Sequence, residues 1–318
     1  MSELAMSNRE RTGADDVALP PLGAVVIGRN EGERLRVSLR SVMPCFTHVV
    51  YVDSGSSDGS VALAEQLGAA PVVLDRTQPF TAARARNAGV AWMTQHHPEV
   101  TLVQLIDGDC ELDPAWPATA RAAIAARPDA AVVCGRRRER FPEASVYNAL
   151  CNREWDTPVG IVKTCGGDAL VRVDAFNAVG GFSPELIAGE EPDLCHKLRG
   201  AGWTIHRLDA EMTRHDAAMT RAGQWWNRNK RSGYAFAEAW SRRGDSDDYP
   251  RRRVLNNLLW GLPPAWALWP LLWWRVYRRS DAAYATHIVL GKLPHVQGQL
   301  RFWLDWLRTR RSTLIEYK

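Results

Sequence analysis

Asp107 and Asp109, one residue apart at the end of an apolar run, are a carboxylate pair spaced to share one ligand. The preceding residues 101–106 (TLVQLI) read as a short buried strand, being β-rich, apolar and followed at once by Gly and Asp. Where a strand ends, carboxylates at i and i+2 both reach a cation, one directly and the other through a ribose or a water. So few hard oxygen donors suit Mg2+ or Mn2+, which complete their shells from phosphate and water, and the pair therefore points to a nucleoside diphosphate. The same spacing also occurs in ordinary solvated turns, so the surrounding sequence must decide.

Such a pair needs a sheet to hold it. From Gly23 onward apolar runs alternate with helical periods: GAVVIG as a strand, EGERLRVSLRSVM as a helix, HVVYVD as a strand, GSVALAEQLGA as a helix that stops at Gly68. The rhythm predicts an α/β open sheet with parallel strands, whose ligands lie beyond the carboxyl ends of the strands. Three successive strand ends carry polar or acidic clusters: Arg29-Asn30-Glu31, Asp53 to Gly59, and Asp107 with Asp109. Ser57 or Asp58 also suits the cap of a helix that begins near Ser60. Arg84 and Arg86 either face solvent on a helix or put a guanidinium near phosphate. No G-x-G-x-x-G follows the first strand, which argues against a dinucleotide oxidoreductase.

The next stretch holds a second set of candidates. Gly166, Gly167 and Asp168 open TCGGDALVRVDAFNAVGGF, where paired glycines permit close backbone approach to a ligand or simply mark a loop. Gly189-Glu190-Glu191-Pro192 then begins a helix, with Pro in its first turn and the acids at its positive end. Those acids serve either as helix caps or, for Glu191, as a base. His215, after the predicted strand WTIHRL, is an ordinary polar residue or a neutral imidazole ligand to a cation.

A chain of 318 residues accommodates one large domain and an appendage. Its six cysteines form no C-x-x-C pair and have no histidine at metal-ligand spacing, which argues against a disulfide framework or a structural zinc and fits a reducing cytosol. Residues 1–20 lack the apolar core of a signal peptide and read as a flexible polar arm. The expected division is this arm, a domain over 21–218, and a basic, Trp-rich helical region over 219–318. The last region holds 18 Lys and Arg against 7 Asp and Glu, a balance of +11, and ten of the 14 Trp. One long helix is expected over residues 217–243, with Arg228 and Arg231 either reaching the diphosphate or facing solvent, and another near the C-terminus. Between them, residues 258–274 are uncharged but broken by Pro263, Pro264 and Pro270, at the lower limit of a bilayer span. Tryptophans among arginines suit a monotopic attachment to an anionic membrane surface, or else pack internally in a soluble appendage. The aliphatic blocks between the charges argue against nucleic acid as a partner.

Five segments in order, VVIGRNEGERL, VYVDSGSSDGSVALAEQLG, ARARNAG, LIDGDCELDP and GGFSPELIAGEEPDLCHKLRGAGW, resemble the successive motifs of family 2 glycosyltransferases, over roughly residues 22–218. The resemblance implies the GT-A fold, a Rossmann-like mixed sheet flanked by helices, here with a C-terminal helical appendage. It also implies transfer of a sugar from a nucleotide-diphosphate donor, with inversion and a divalent metal, Mg2+ or Mn2+. It places Asn30 and Glu31 at the nucleotide end, Asp53 at the base, Arg86 near the diphosphate, Asp107 near the ribose and Asp109 on the metal, whose shell His215 completes if it is the neutral imidazole ligand. Gly166, Gly167, Asp168 and Glu190 fall on the sugar and acceptor side, and Glu191 on the catalytic base. Ser54 stands where many relatives have a second Asp, so uridine, guanosine and thymidine donors stay open. The expected acceptor is a lipid-linked or cell-envelope glycan at the cytosolic membrane face; a soluble or protein acceptor, and a non-catalytic nucleotide-sugar-binding protein, are the alternatives.

Overall fold

The computed structural model describes residues 20–244 and 250–308. Apart from Pro20, the N-terminal arm expected over residues 1–20 lies outside them, as do residues 245–249 and 309–318.

Nine strands form one sheet: β1 (Leu22–Gly28), β2 (His48–Asp53), β3 (Ala70–Val73), β4 (Leu102–Asp107), β5 (Cys110–Leu112), β6 (Ala130–Glu139), β7 (Gly160–Ile161), β8 (Ala169–Arg172) and β9 (Thr204–His215). Their order is β3-β2-β1-β4-β8-β6-β9-β5, with β7 also paired to β9. The first four are parallel, as the alternating strand and helix pattern predicts. Beyond β4 the sheet becomes mixed, because β8 runs antiparallel to both β4 and β6, and β5 runs antiparallel to β9. Strands β1, β2 and β4 are buried on both faces, which is why they read as continuous apolar runs rather than alternating ones.

Helices α1 (Glu33–Val42), α2 (Ser60–Gln66), α3 (Ala82–His96), α4 (Trp116–Ala125), α5 (Val146–Trp155), α6 (Val173–Ala178) and α7 (Glu190–Gly200) connect the strands. In α1, Leu35, Leu39 and Val42 share the buried stripe that helical spacing requires. Gly89 brings α3 against the sheet, since a Cβ there would lie 2.3 Å from Val25 Cγ1. The last strand is longer than WTIHRL suggested, and His215 is its final residue rather than part of a following loop.

The C-terminal third folds as α8 (Ala222–Arg243), α9 (Pro250–Gly261), a 3-10 turn (Pro263–Leu268), α10 (Trp269–Tyr277), α11 (Ala282–Leu290) and α12 (Lys292–Leu307). Helices α8 and α12 cross at glycines: a Cβ on Gly233 would lie 2.1 Å from His295 O, and one on Gly298 2.0 Å from Lys230 O. The tryptophans differ in burial. Trp225 is buried and donates to His287 Nδ1 at 2.7 Å, and Trp240 meets Trp303 edge-on, so these pack internally. Trp266 and Trp274 stand exposed, as do Leu259, Leu268 and Leu271. Among the described residues no helix is long and apolar enough to cross a membrane. Pro263 and Pro264 at the start of the 3-10 turn and Pro270 in the first turn of α10 cut the apolar run into short pieces.

Candidate active site

The carboxyl ends of β1 and β4 open into a cleft of about 730 Å³, whose far wall is made by the start of α7 and by α8. The loops after β1 and β2 are tied together at its rim. Asn30 adopts a left-handed conformation (φ 54°), its amide nitrogen donates to Ser56 Oγ at 2.9 Å, and its Oδ1 accepts from Ser57 N at 2.8 Å. Asn tolerates that backbone region better than most residues. Glu31 lines the cleft beside Arg34, which pairs with it at 2.8 Å. Asp53, by contrast, is buried behind this rim and does not line the cleft. It accepts from Tyr51 Oη at 3.0 Å and from the amides of Gly55 and Ser56 at 2.9 and 2.8 Å, so its carboxylate shapes the turn.

Arg86 lies on α3 with its guanidinium between two acids, donating to Asp107 Oδ1 at 2.7 Å and to Glu190 Oε1 at 2.8 Å. The guanidinium is 3 % exposed, and the two carboxylates outweigh the cost of burying it, holding its pKa above the ordinary value. Arg86 thus ties the end of β4 to the start of α7. Asp107 also receives Arg137 Nη2 at 3.3 Å, while its backbone amide donates to Asp168 Oδ1 at 2.9 Å. Asp168 is fully buried, with its other oxygen accepting from Thr213 Oγ1 at 2.7 Å. It positions Asp107 from beneath instead of facing the cleft. Gly167 passes directly over this ion-pair cluster and lines the cleft; Gly166 has φ 89° and open space around it.

Sheet register assembles the second cluster. Cys110 and Glu139 are both strand partners of His215, and Asp109 immediately precedes Cys110. His215 Nε2 lies 3.2 Å from Asp109 Oδ2, and Nδ1 lies 3.8 Å from Glu139 Oε2. Glu139 is fixed by the Phe141 and Ala217 amides at 3.1 and 3.2 Å and by Asn148 Nδ2 at 3.2 Å. Burial, with help from Arg137, lowers the pKa of His215, so the ring is a neutral donor near pH 7. A carboxylate and a neutral imidazole side by side on the cleft wall, with a second carboxylate behind the ring, make a donor set that fits a divalent cation whose other ligands come from phosphate and water. The Cys110 thiol is less suited to join them: burial raises its pKa well above the ordinary value, and at 3.7 Å it donates toward Asp109 Oδ1.

Across the cleft, Gly189 in the left-handed region (φ 78°) starts α7, and Glu190, Glu191 and Asp193 fall in the first turn. Glu191 Oε1 accepts from the Cys165 amide at 2.5 Å and from Cys195 Sγ at 3.0 Å. Burial nevertheless raises its carboxyl pKa above the ordinary range, the direction a proton-accepting group at neutral pH requires. From α8, Arg228 and Arg231 line the same cleft, held by Glu154 at 2.7 Å and by Ile187 O at 2.7 Å.

Arg137, Glu139 and Trp155 escaped the sequence reading. Arg137 stacks over Trp155 with its guanidinium carbon 5.0 Å from the ring centroid, and Trp155 meets His215 edge-on at 4.8 Å. The signal for Arg137 and Glu139 lay in the end of β6: in Arg136-Arg137-Arg138-Glu139, strand alternation sends the second and fourth side chains inward. Arg136 and Arg138 point outward to Asp209 and Glu211.

Residues 24–175 match the sequence profile described as glycosyl transferase family 2. No curated protein matches the chain. Among solved structures, the chain is similar to the mannosyltransferase PcManGT from Pyrobaculum calidifontis, in complex with GDP-Man and Mn2+, at 18 % identity and TM-score 0.64 over 91 % of this chain and 88 % of that one. It is also similar to glucosyl-3-phosphoglycerate synthase from Mycobacterium tuberculosis, in complex with Mn2+, UDP and glucosyl-3-phosphoglycerate, at 18 % identity and TM-score 0.52 over 72 % and 81 % of the two chains. A third similar structure, residues 1–349 of S. aureus TarS, gives 13 % identity and TM-score 0.50 over 91 % and 92 %. At these identities the likeness is one of fold.

Proposed function

We propose that this chain, whose residues 24–175 match the glycosyl transferase family 2 profile, is a glycosyltransferase of that family and moves a sugar from a nucleotide-diphosphate donor to a hydroxyl of a lipid-linked or cell-envelope glycan, with inversion. The observation that carries this reading is the convergence on one cleft of the Asp109–His215 pair and, opposite, Glu191. Asp109 and His215 are the residues that would hold a divalent cation; the cation, when bound, supplies Lewis-acid stabilisation of charge on the leaving diphosphate. The imidazole nitrogen favours Mn2+ over Mg2+, and the Mn2+ complexes of the mannosyltransferase and the phosphoglycerate-linked synthase support a divalent ion here.

In the proposed reaction Glu191 takes the proton of the acceptor hydroxyl as its oxygen forms a bond to the anomeric carbon. The bond from that carbon to the donor phosphate oxygen breaks, its electron pair leaves with the nucleoside diphosphate, and configuration inverts. Arg228 and Arg231 face the diphosphate from α8. Asn30 and Glu31 shape the nucleotide end, and Asp53 acts there by holding the loop that meets the base. Gly166, Gly167 and Glu190 border the sugar, with Asp168 supporting them from below.

The surface of the C-terminal third supports the proposed acceptor class. Leu259 (64 % exposed), Leu271 (62 %), Trp274 (54 %) and Leu268 (52 %) are exposed on α9, the 3-10 turn and α10, elements that also carry or adjoin in sequence the exposed Arg252, Arg275, Arg278 and Arg279. Indoles and arginines in this arrangement suit peripheral attachment to anionic lipid at the cytosolic face of the membrane. Two measurements test the proposal. Glu191→Gln should abolish transfer while leaving Mn2+-dependent donor binding intact, and full activity would move the base elsewhere. Sedimentation with phosphatidylglycerol vesicles should carry the protein down, and the Leu271→Ser/Trp274→Ser variant should stay in solution; equal behaviour of the two would return the acceptor to the soluble class.

A further inference from the structure

The proposed mechanism makes no use of the two thiols that hold Glu191. Cys195 lies four residues after Glu191 on α7, hence on the same face one turn on, and Cys165 arrives from the loop between β7 and β8. The two sulfurs are 3.6 Å apart, and Cys195 Sγ is 3.0 Å from Glu191 Oε1. Among the described residues these three offer ligand atoms that all lie within 4.8 Å of one another. Glu191 itself lines the cleft, which gives an ion a way in.

We propose that Cys165, Cys195 and Glu191 form a second metal site, selective for a soft divalent cation such as Zn2+, whose occupation silences the enzyme by capturing its base. Tetrahedral zinc with bonds of about 2.3 Å to sulfur sets its two thiolates about 3.8 Å apart, close to the spacing found here. Two thiolates and one carboxylate, with a water from the cleft in the fourth position, select zinc or cadmium and discriminate against Mg2+ and Mn2+. The site therefore does not compete for the cation assigned to Asp109 and His215. On binding, both thiols release their protons to solvent and the carboxylate gives a lone pair to the metal. Bound to the cation, the Glu191 carboxylate loses proton affinity and is turned from the acceptor hydroxyl, while the donor end of the cleft is untouched. The inhibitory half of this proposal rests on Glu191 being the base.

Cd2+ added to the full chain in saturating Mn2+ tests the site, because thiolate ligation gives an ultraviolet charge-transfer band. One Cd2+ per chain with this band is expected, and its loss in Cys165→Ser/Cys195→Ser. Absence of the band from the wild type overturns the proposal. A band that persists in the double variant, which keeps Cys110, places the ion elsewhere and also overturns it. Cys165→Ser, at a partly exposed position, serves as a second variant and should halve the band. In a transfer assay with excess Mn2+, micromolar Zn2+ should slow the wild type at least about tenfold. Each variant is compared with its own zinc-free rate, and the double variant should show no such slowing. Cadmium binding without zinc inhibition would leave the site standing and remove Glu191 from the role of base.

Discussion

Replacing Gly167 by Ala should impair donor handling without unfolding the protein. A Cβ at this position would lie 2.8 Å from Asp107 Oδ2 and 3.2 Å from both Arg137 Nη1 and Arg86 Nη2. The carboxylate would have to retreat by about 0.5 Å or more to restore ordinary contact. Side-chain termini usually yield cheaply, but Asp107 is fixed by Arg86 at 2.7 Å and by Arg137 at 3.3 Å. The methyl group therefore weakens at least one charge-assisted hydrogen bond, worth about 1.5–3 kcal/mol. If donor binding depends on that cluster, kcat/KM for the donor falls about 10- to 100-fold. Gly166→Ala is the contrasting control. Its φ of 89° disfavours any side chain, yet nothing lies within 4 Å of the new methyl, so it should lose about 1–2 kcal/mol of stability with less effect on the site. Steady-state transfer kinetics and thermal melts of both variants separate the two costs. Parental kcat/KM in Gly167→Ala would refute the reasoning, as would equal catalytic damage in the two.

Three other outcomes are expected. Because burial raises the Glu191 pKa above its ordinary 4.5, activity should be lost on acidification at a pH above that value, and in Glu191→Gln the limb should vanish with a fall in kcat of about 10²- to 10⁴-fold, read from pH–rate profiles. Burial also pushes the Glu238 carboxyl up to about 7. A folded-state pKa above the unfolded one gives stability that is complete below about 4.5 and lost as pH rises through 7, so Glu238→Gln should stabilise by up to about 3 kcal/mol at pH 8 and little at pH 5, measured by calorimetry. Gly233→Ala, whose methyl would meet His295 O at 2.1 Å, should force α8 away from α12 and cost at least about 1–3 kcal/mol in chemical denaturation.

The parts of the site carried by short contiguous signals were legible in the sequence. Asp107 and Asp109 were readable because a buried strand ends there, and Glu190 and Glu191 because a glycine and a proline frame a helix start. What depends on sheet register was not. Glu139 stands behind His215 only because β6 and β9 pair in parallel through several irregularities, and Arg137 faces Asp107 only because its strand turns that residue inward. A carboxylate's type also does not disclose what occupies it: Asp53 and Asp168 read as ligand-facing groups, yet both are bound by the protein's own amides and hydroxyls. The tryptophans mislead in the same way, since composition cannot separate Trp225, buried against His287, from Trp274, which faces outward. The alternation of strand and helix likewise gave the parallel half of the sheet but not the reversal beyond β4.

The claim at the centre of this account is that Asp109 and His215 hold a divalent cation through which the nucleotide diphosphate is bound. Titration calorimetry of UDP and GDP, each with and without Mn2+, on the wild type and Asp109→Ala tests it most directly. The account predicts that one nucleotide binds the wild type only when Mn2+ is present and that Asp109→Ala loses this binding while keeping its fold. Binding that is indifferent to Mn2+, or unchanged in the variant, would contradict it.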